Sequence, residues 1–253
     1  MIFLYDGTFE GFLSAVFDAF LVKEEVEIEK KSGWQQPLFA ETAEVATSPE
    51  KAEKVVNKLL SICGNRGFTV IVYIFLSEVE KSETYAFYLI KSLIKYGSKA
   101  FSRFQDEKIT RAMEIRKKVS KECERFLGIL RFSELSNGIF YAPLEPDFNV
   151  LPLIAGHFYE RLSGTKWMIH DIRHGIAVYH SEGKTEYVEF IDEMTSHLNM
   201  VTLLGKSENE ESFAEMWSNY FKIIAIESRI NLKLQRRFVP QRYWKYMTER
   251  KDG

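Results

Sequence analysis

The sequence predicts an α+β protein, mainly helical, with a small antiparallel sheet built from two hairpins. Three observations carry this. Apolar residues recur at helical spacing over several long segments. Asn137-Gly138 sits between two short strand-like runs, a strong tight-hairpin signal. Trp167 to Ile172 and Ile176 to His180 read as a second hairpin, closed by Arg173 to Gly175. The order helix, hairpin, helix, hairpin, helix fits this class.

Ile2 to Tyr5 reads as a short strand. After the Asp6-Gly7 turn, Thr8 is the expected N-cap for a helix carrying Phe9, Phe12, Leu13, Val16, Phe17 and Phe20. Val26 to Glu29 alternates as a strand. Ser48-Pro49 opens a helix through about Ile62, with proline at the first helical position. The run from Phe68 to Leu76 is β-branched, but helical segments flank it closely, so it reads as helix. Tyr85 to Tyr96 is a helix ending at Gly97. Asp106 to Leu127 is a long helix that Gly128 is expected to end. Strands follow at Ile129 to Leu135 and Ile139 to Ala142. Asp147 or Asn149 can cap a helix through Leu162, and Thr185 to Phe190 can add a strand. Asn209 to about Arg237 reads as a final helix, stopped before Pro240. Residues 1–80 are expected to form an N-terminal strand and helix lobe, and residues 81–253 the main α+β domain.

Composition excludes several classes. The 253 residues are 45% hydrophobic and 14% aromatic, without low-complexity runs, which excludes disorder. The longest apolar runs, such as Val70 to Leu76, fall far short of the roughly 20 residues of a spanning helix, so no membrane partner is expected. The N-terminus has no basic region of a secretory signal. Cys63 and Cys123 stand alone, which argues against a cysteine-ligated metal and fits a reducing cytoplasm. There is no glycine-rich phosphate loop, no nucleophile elbow and no paired-histidine zinc motif. No cofactor and no metal are expected.

The net charge of −2 conceals an asymmetry. Lys222 to Lys251 holds nine cations and two acids, so it carries +7 against −9 for the rest. Lys99 to Arg131 holds ten cations and five acids. In the first block, Arg229, Lys233, Arg236, Arg237 and Arg242 are candidate phosphate contacts, with Tyr243 and Trp244 interleaved to stack on bases or to anchor the chain. In the second, Arg111, Lys118, Lys121 and Arg125 share a helix face, and Arg125 and Arg131 bracket a helix-to-strand junction suited to an anion. The densest titratable cluster is His170, Asp171 and Arg173 beside His174, a candidate acid–base site to which His157 can add. The competing reading is an ordinary polar hairpin.

Five segments together resemble a bacterial family of uncharacterised proteins, usually labelled probable DNA metabolism proteins. They are YDGTFEGFLSAVFDAF at 5–20, ECERFLGILRF at 122–132, PDFNVLPLIAGHFYERL at 146–162, WMIHDIRHG at 167–175 and ESRINLKLQRRFVPQRYWKYMTE at 227–249. Cys123 stands where the motif is expected to carry histidine, and His174 where arginine is commoner. The resemblance implies a gene neighbour encoding a putative DNA modification or repair radical-SAM protein, and in some members fusion to a uracil-DNA-glycosylase-like domain. The leading expectation is therefore a cytoplasmic, DNA-associated accessory protein that works with a radical-SAM partner. The alternatives are an enzyme acting on a nucleobase or nucleotide, and a protein-interaction module that does not bind DNA.

Overall fold

A computed structural model of the protein describes residues 1–35, 40–189, 205–224 and 238–247. The chain divides into two compact units, Met1–Ser120 and Lys121–Gly253. Within the first unit, residues 82–96 form a helix that packs on the strand at 27–30 and on the helix before it.

The first unit is built on three parallel strands. β1 (Ile2–Tyr5) is central, between β2 (Glu27–Lys30) and β3 (Thr42–Glu44). A central parallel strand is covered on both faces, and Phe3, Leu4 and Tyr5 are all buried. α1 (Phe9–Ala19) connects β1 to β2, as a parallel pair requires. The Thr8 hydroxyl caps it by accepting from the Gly11 N–H at 2.9 Å. α2 (Pro49–Phe75) begins at the Ser48 cap and runs on through the ambiguous β-branched run, whose Ile71 and Ile74 are fully buried. At Gly64 its backbone leaves the helical region, with φ 62° and ψ −175°. By length and composition alone, α2 is long and apolar enough to cross a bilayer. Its buried positions face the core of this unit, formed with α3 (Ser82–Tyr96).

Glu29 on β2 is half-buried, and burial, followed by the charges of Glu83 and Glu27, pushes its carboxyl up. Stability linked to such a group is complete below the unfolded carboxylate range and is lost as pH rises through the folded value. Glu29→Gln is therefore expected to raise the urea midpoint at pH 7, with the gap closing near pH 4 as the unfolded carboxyl also protonates. An equal gap at both pH values refutes this.

α4 (Glu107–Ile129) runs through Gly128 rather than stopping before it, so the strand expected from Ile129 shrinks to β4 (Ser133–Glu134). The second unit holds a five-stranded sheet in the order β4-β5-β6-β7-β8. The remaining strands are β5 (Phe140–Leu144), β6 (Trp167–Asp171), β7 (Ile176–Ser181) and β8 (Lys184–Glu189). Both expected hairpins are present, and Gly138 and Gly175 take the positive φ their turns require. The sheet is nevertheless not purely antiparallel. β5 and β6 pair in parallel, since α5 (Leu151–Arg161) intervenes and returns the chain in the same direction. A mixed α/β architecture with one parallel and one mixed sheet thus replaces the single small antiparallel sheet. α5 starts at Val150 without a side-chain cap, so neither Asp147 nor Asn149 caps it. α6 (Glu210–Ile224) opens the expected final helix, whose remainder to Arg237 lies outside the described residues.

Candidate functional site

Strand alternation places His170 and Asp171 on opposite faces of β6, and both are buried because the sheet is covered on each side there. The His170 Nδ1 meets the Tyr141 hydroxyl at 2.8 Å. Asp171 turns to its own hairpin end. Its Oδ1 accepts the backbone N–H groups of Arg173 and His174, both at 3.1 Å, and its Oδ2 meets His174 Nδ1 at 2.6 Å. Burial pushes the Asp171 carboxyl up, while the His174 ring and the two amides pull it back. Arg173 points elsewhere and donates to Asp147 Oδ1 at 3.1 Å. His170, Asp171 and Arg173 therefore do not converge. Asp171 organises the turn, as the polar-hairpin reading has it. The buried Nε2 of His157 has no hydrogen-bond partner among the described residues.

Asp147 joins this hairpin to the C-terminal segment. Its Oδ2 takes a short ion pair from Arg242, whose guanidinium also donates to the Tyr243 hydroxyl at 2.7 Å. Tyr243 donates in turn to Glu122 Oε1 at 2.8 Å. Glu122 is 2% exposed on α4 and also accepts the N–H groups of Asp147 at 3.0 Å and Phe148 at 2.9 Å. The Tyr243 ring is 1% exposed and meets Phe126 edge-on at 5.0 Å. A ring so placed anchors the chain and offers no face to a base. Trp244 is half-buried and donates to the Val239 carbonyl at 3.0 Å. Arg125 donates to the Phe238 carbonyl at 2.7 Å, and Lys245 and Tyr246 both reach Glu145. Residues 238–247 are clamped at every turn, and Arg242, Tyr243 and Arg125 form much of the clamp. Neither Glu122 nor Asp147 was singled out from sequence as a hub. A lone carboxylate carries no signal of its own until the fold brings backbone amides to it.

A groove of about 1070 Å³ opens in the second unit. Leu127 and Gly128 of α4, Phe132, Phe140 of β5, and Phe158 and Arg161 of α5 line it, with Phe213, Met216 and Trp217 of α6. The three α6 side chains are 56%, 60% and 41% exposed. Arg131 also lines it, with its guanidinium 5.6 Å from the Trp217 ring and a hydrogen bond to the Gly128 carbonyl at 3.0 Å. Phe132 and Phe158 meet edge-to-face at 5.5 Å. Of the candidate residues, Arg131 alone lines this groove. Neither Phe213 nor Trp217 was singled out from sequence as a site residue.

On α4, Arg111, Lys118 and Lys121 are exposed, and Arg111 pairs with Glu114 at 3.1 Å. Arg229, Lys233, Arg236 and Arg237 lie outside the described residues. Cys123 is buried, and burial pushes the half-buried Cys63 thiol up. Among the described residues, no group of three or more His, Cys, Asp or Glu side chains is arranged to hold a metal ion.

Fold and site together define a mixed α/β protein with a clamped C-terminal segment and an aromatic groove that two arginines help to line. The chain belongs to the family described as a domain of unknown function, DUF4130, whose model matches residues 80–249. No curated protein matches the chain.

Proposed function

We propose that this is a DNA-associated accessory protein of DNA modification or repair, which holds an unpaired stretch of strand and works beside a radical-SAM enzyme. The observation that carries the reading is the groove of the second unit. There the exposed Trp217 and Phe213 rings and the cations Arg131 and Arg161 line one open concavity. Planar rings stack on unpaired bases, and guanidinium groups meet phosphates in a planar, bidentate way. Exposed Lys121 of α4 is a further cation of this unit, and the sequence block from Arg229 to Arg237 supplies the remaining proposed phosphate contacts. The radical-SAM partner enters from the family resemblance alone.

Fluorescence anisotropy with single- and double-stranded oligonucleotides across a salt series tests this. For four to six phosphate contacts on a single strand, log K is expected to fall against log salt with a slope of roughly −3 to −4. Trp217→Ala is expected to weaken single-strand binding by about tenfold or more, as loss of one stacking platform does. The pair Lys233→Glu with Arg237→Glu should lower the slope by about 2. Affinity that survives all three changes refutes the footprint.

The enzymatic alternative draws no support from the geometry of His170, Asp171 and Arg173, none of which lines the groove.

A further inference from the structure

The first unit carries a second open groove, of about 240 Å³, where the end of α1 meets α2 and α3. Its apolar surface comes from Phe17, Phe20 and Leu21 at the α1 end and from Ile90 and Ile94 of α3. Leu21 is 75% exposed, Ile94 42% and Phe20 37%. Three large apolar side chains left to solvent around one concavity are a standing cost unless something covers them. Lys54 and Lys58 line the α2 side, one helical turn apart, and the Lys54 ammonium lies 5.8 Å from the Phe17 ring. Asp18, in the last turn of α1, is held by Lys51 at 2.7 Å, and Glu25, beyond it, pairs with Lys108, while exposed Glu24 and Glu53 do not line the groove. α3 adds exposed Lys91 and Lys95, each adjacent in sequence to a groove isoleucine.

We propose that this groove is the docking site for an acidic amphipathic helix of a partner protein. Two helices walling an apolar trough fit a third helix that inserts side chains at i, i+3, i+4 and i+7. The lysines fix the sign of the flanking charge, since carboxylates beside the anchors pair with Lys54 and Lys58 while cations are repelled. A second copy docking through the same patch would bring two lysine-bearing grooves together, a pairing of like charge that an acidic helix avoids. A lipid surface favours an apolar face that lies in the interface plane, and this one is concave. The inference rests on the first unit alone and is independent of the nucleic-acid reading.

The probe is a fluorescently labelled synthetic helical peptide with Leu and Phe anchors at that spacing and Glu at the flanking positions. A matched peptide carries Lys in place of Glu. With the full chain, saturable binding of the Glu peptide is expected, along with at least about tenfold weaker binding of the Lys peptide. Lys54→Glu with Lys58→Glu should invert that preference, and Leu21→Asp, a change at an exposed position that the fold tolerates, should abolish binding of both. Four results overturn the proposal: no binding of the Glu peptide, equal affinity for the two peptides, a preference unchanged by the charge reversal, or binding that survives Leu21→Asp. It also fails if light scattering shows a dimer that Leu21→Asp dissolves, which makes the occupant a second copy. Sedimentation with phosphatidylserine vesicles that Leu21→Asp abolishes, without peptide binding, makes it a lipid surface and overturns the proposal too.

Discussion

Glu122→Ala is expected to destabilise the second unit by about 3–5 kcal/mol, the range for removing one partner from a buried charged network. The side chain is 2% exposed and accepts three hydrogen bonds, from the amides of Asp147 and Phe148 and from the Tyr243 hydroxyl. Alanine leaves all three donors without their acceptor inside the protein, and an orphaned buried donor costs about 1–3 kcal/mol. The loss spreads along the clamp. Tyr243 is the buried anchor of residues 238–247, so limited proteolysis should cut that segment in the variant and spare it in the wild type. Urea denaturation reads the energy. Glu122→Gln keeps an acceptor oxygen and should lose about half as much. A loss below about 1 kcal/mol for alanine means that water replaces the carboxylate and that the clamp is held elsewhere.

Asp171→Ala is the second large effect, an expected loss of about 2–4 kcal/mol from two orphaned turn amides and the abandoned His174 ring. Asp171→Asn retains an acceptor for the amides and should lose less. The sign of the pH dependence follows from burial. Because the folded Asp171 carboxyl is pushed up, its contribution is complete below the unfolded aspartate value, near 4, and declines as pH rises through the folded value. Wild type measured against Asp171→Asn should therefore lose ground from about pH 4 upward. A difference that grows with pH means that the His174 contact outweighs the cost of burying the charge. Either variant that abolished nucleic-acid binding while leaving stability intact would return this hairpin to the functional surface.

Local signals were strong wherever backbone chemistry decides the outcome. The Thr8 and Ser48 caps, the proline at position 49 and the two glycine-closed hairpins were all legible, since each needs only its own neighbours. The run from Phe68 to Leu76 was ambiguous by composition, and its helical flanks settled it. Gly128 misled because a glycine after an apolar stripe reads as a stop, yet helical backbone suits glycine at a modest cost when packing on either side holds the turn. The parallel step between β5 and β6 was not legible, since strand direction follows from the crossover rather than from the strands. Arg242, Tyr243 and Arg173 were chosen for cationic and aromatic character, and all three serve the clamp. Pairing of that kind depends on Asp147 and Glu122, which lie 26 and 51 residues before Arg173 and are invisible to any local pattern.

The break at Gly64 also sets the phase of α2. Ala52, Val55 and Leu59 are buried before it, and Gly67, Ile71 and Ile74 after it. On an unbroken helix that advances about 100° per residue, the mean direction of the second set lies roughly a quarter turn from that of the first. A continuous rod would aim the two stripes at different neighbours. Yet Leu59, Ile71 and Ile74 all belong to one core cluster. The excursion at Gly64, in a backbone region open essentially to glycine alone, acts as an azimuthal reset that lets both halves of a 27-residue element address the same interior.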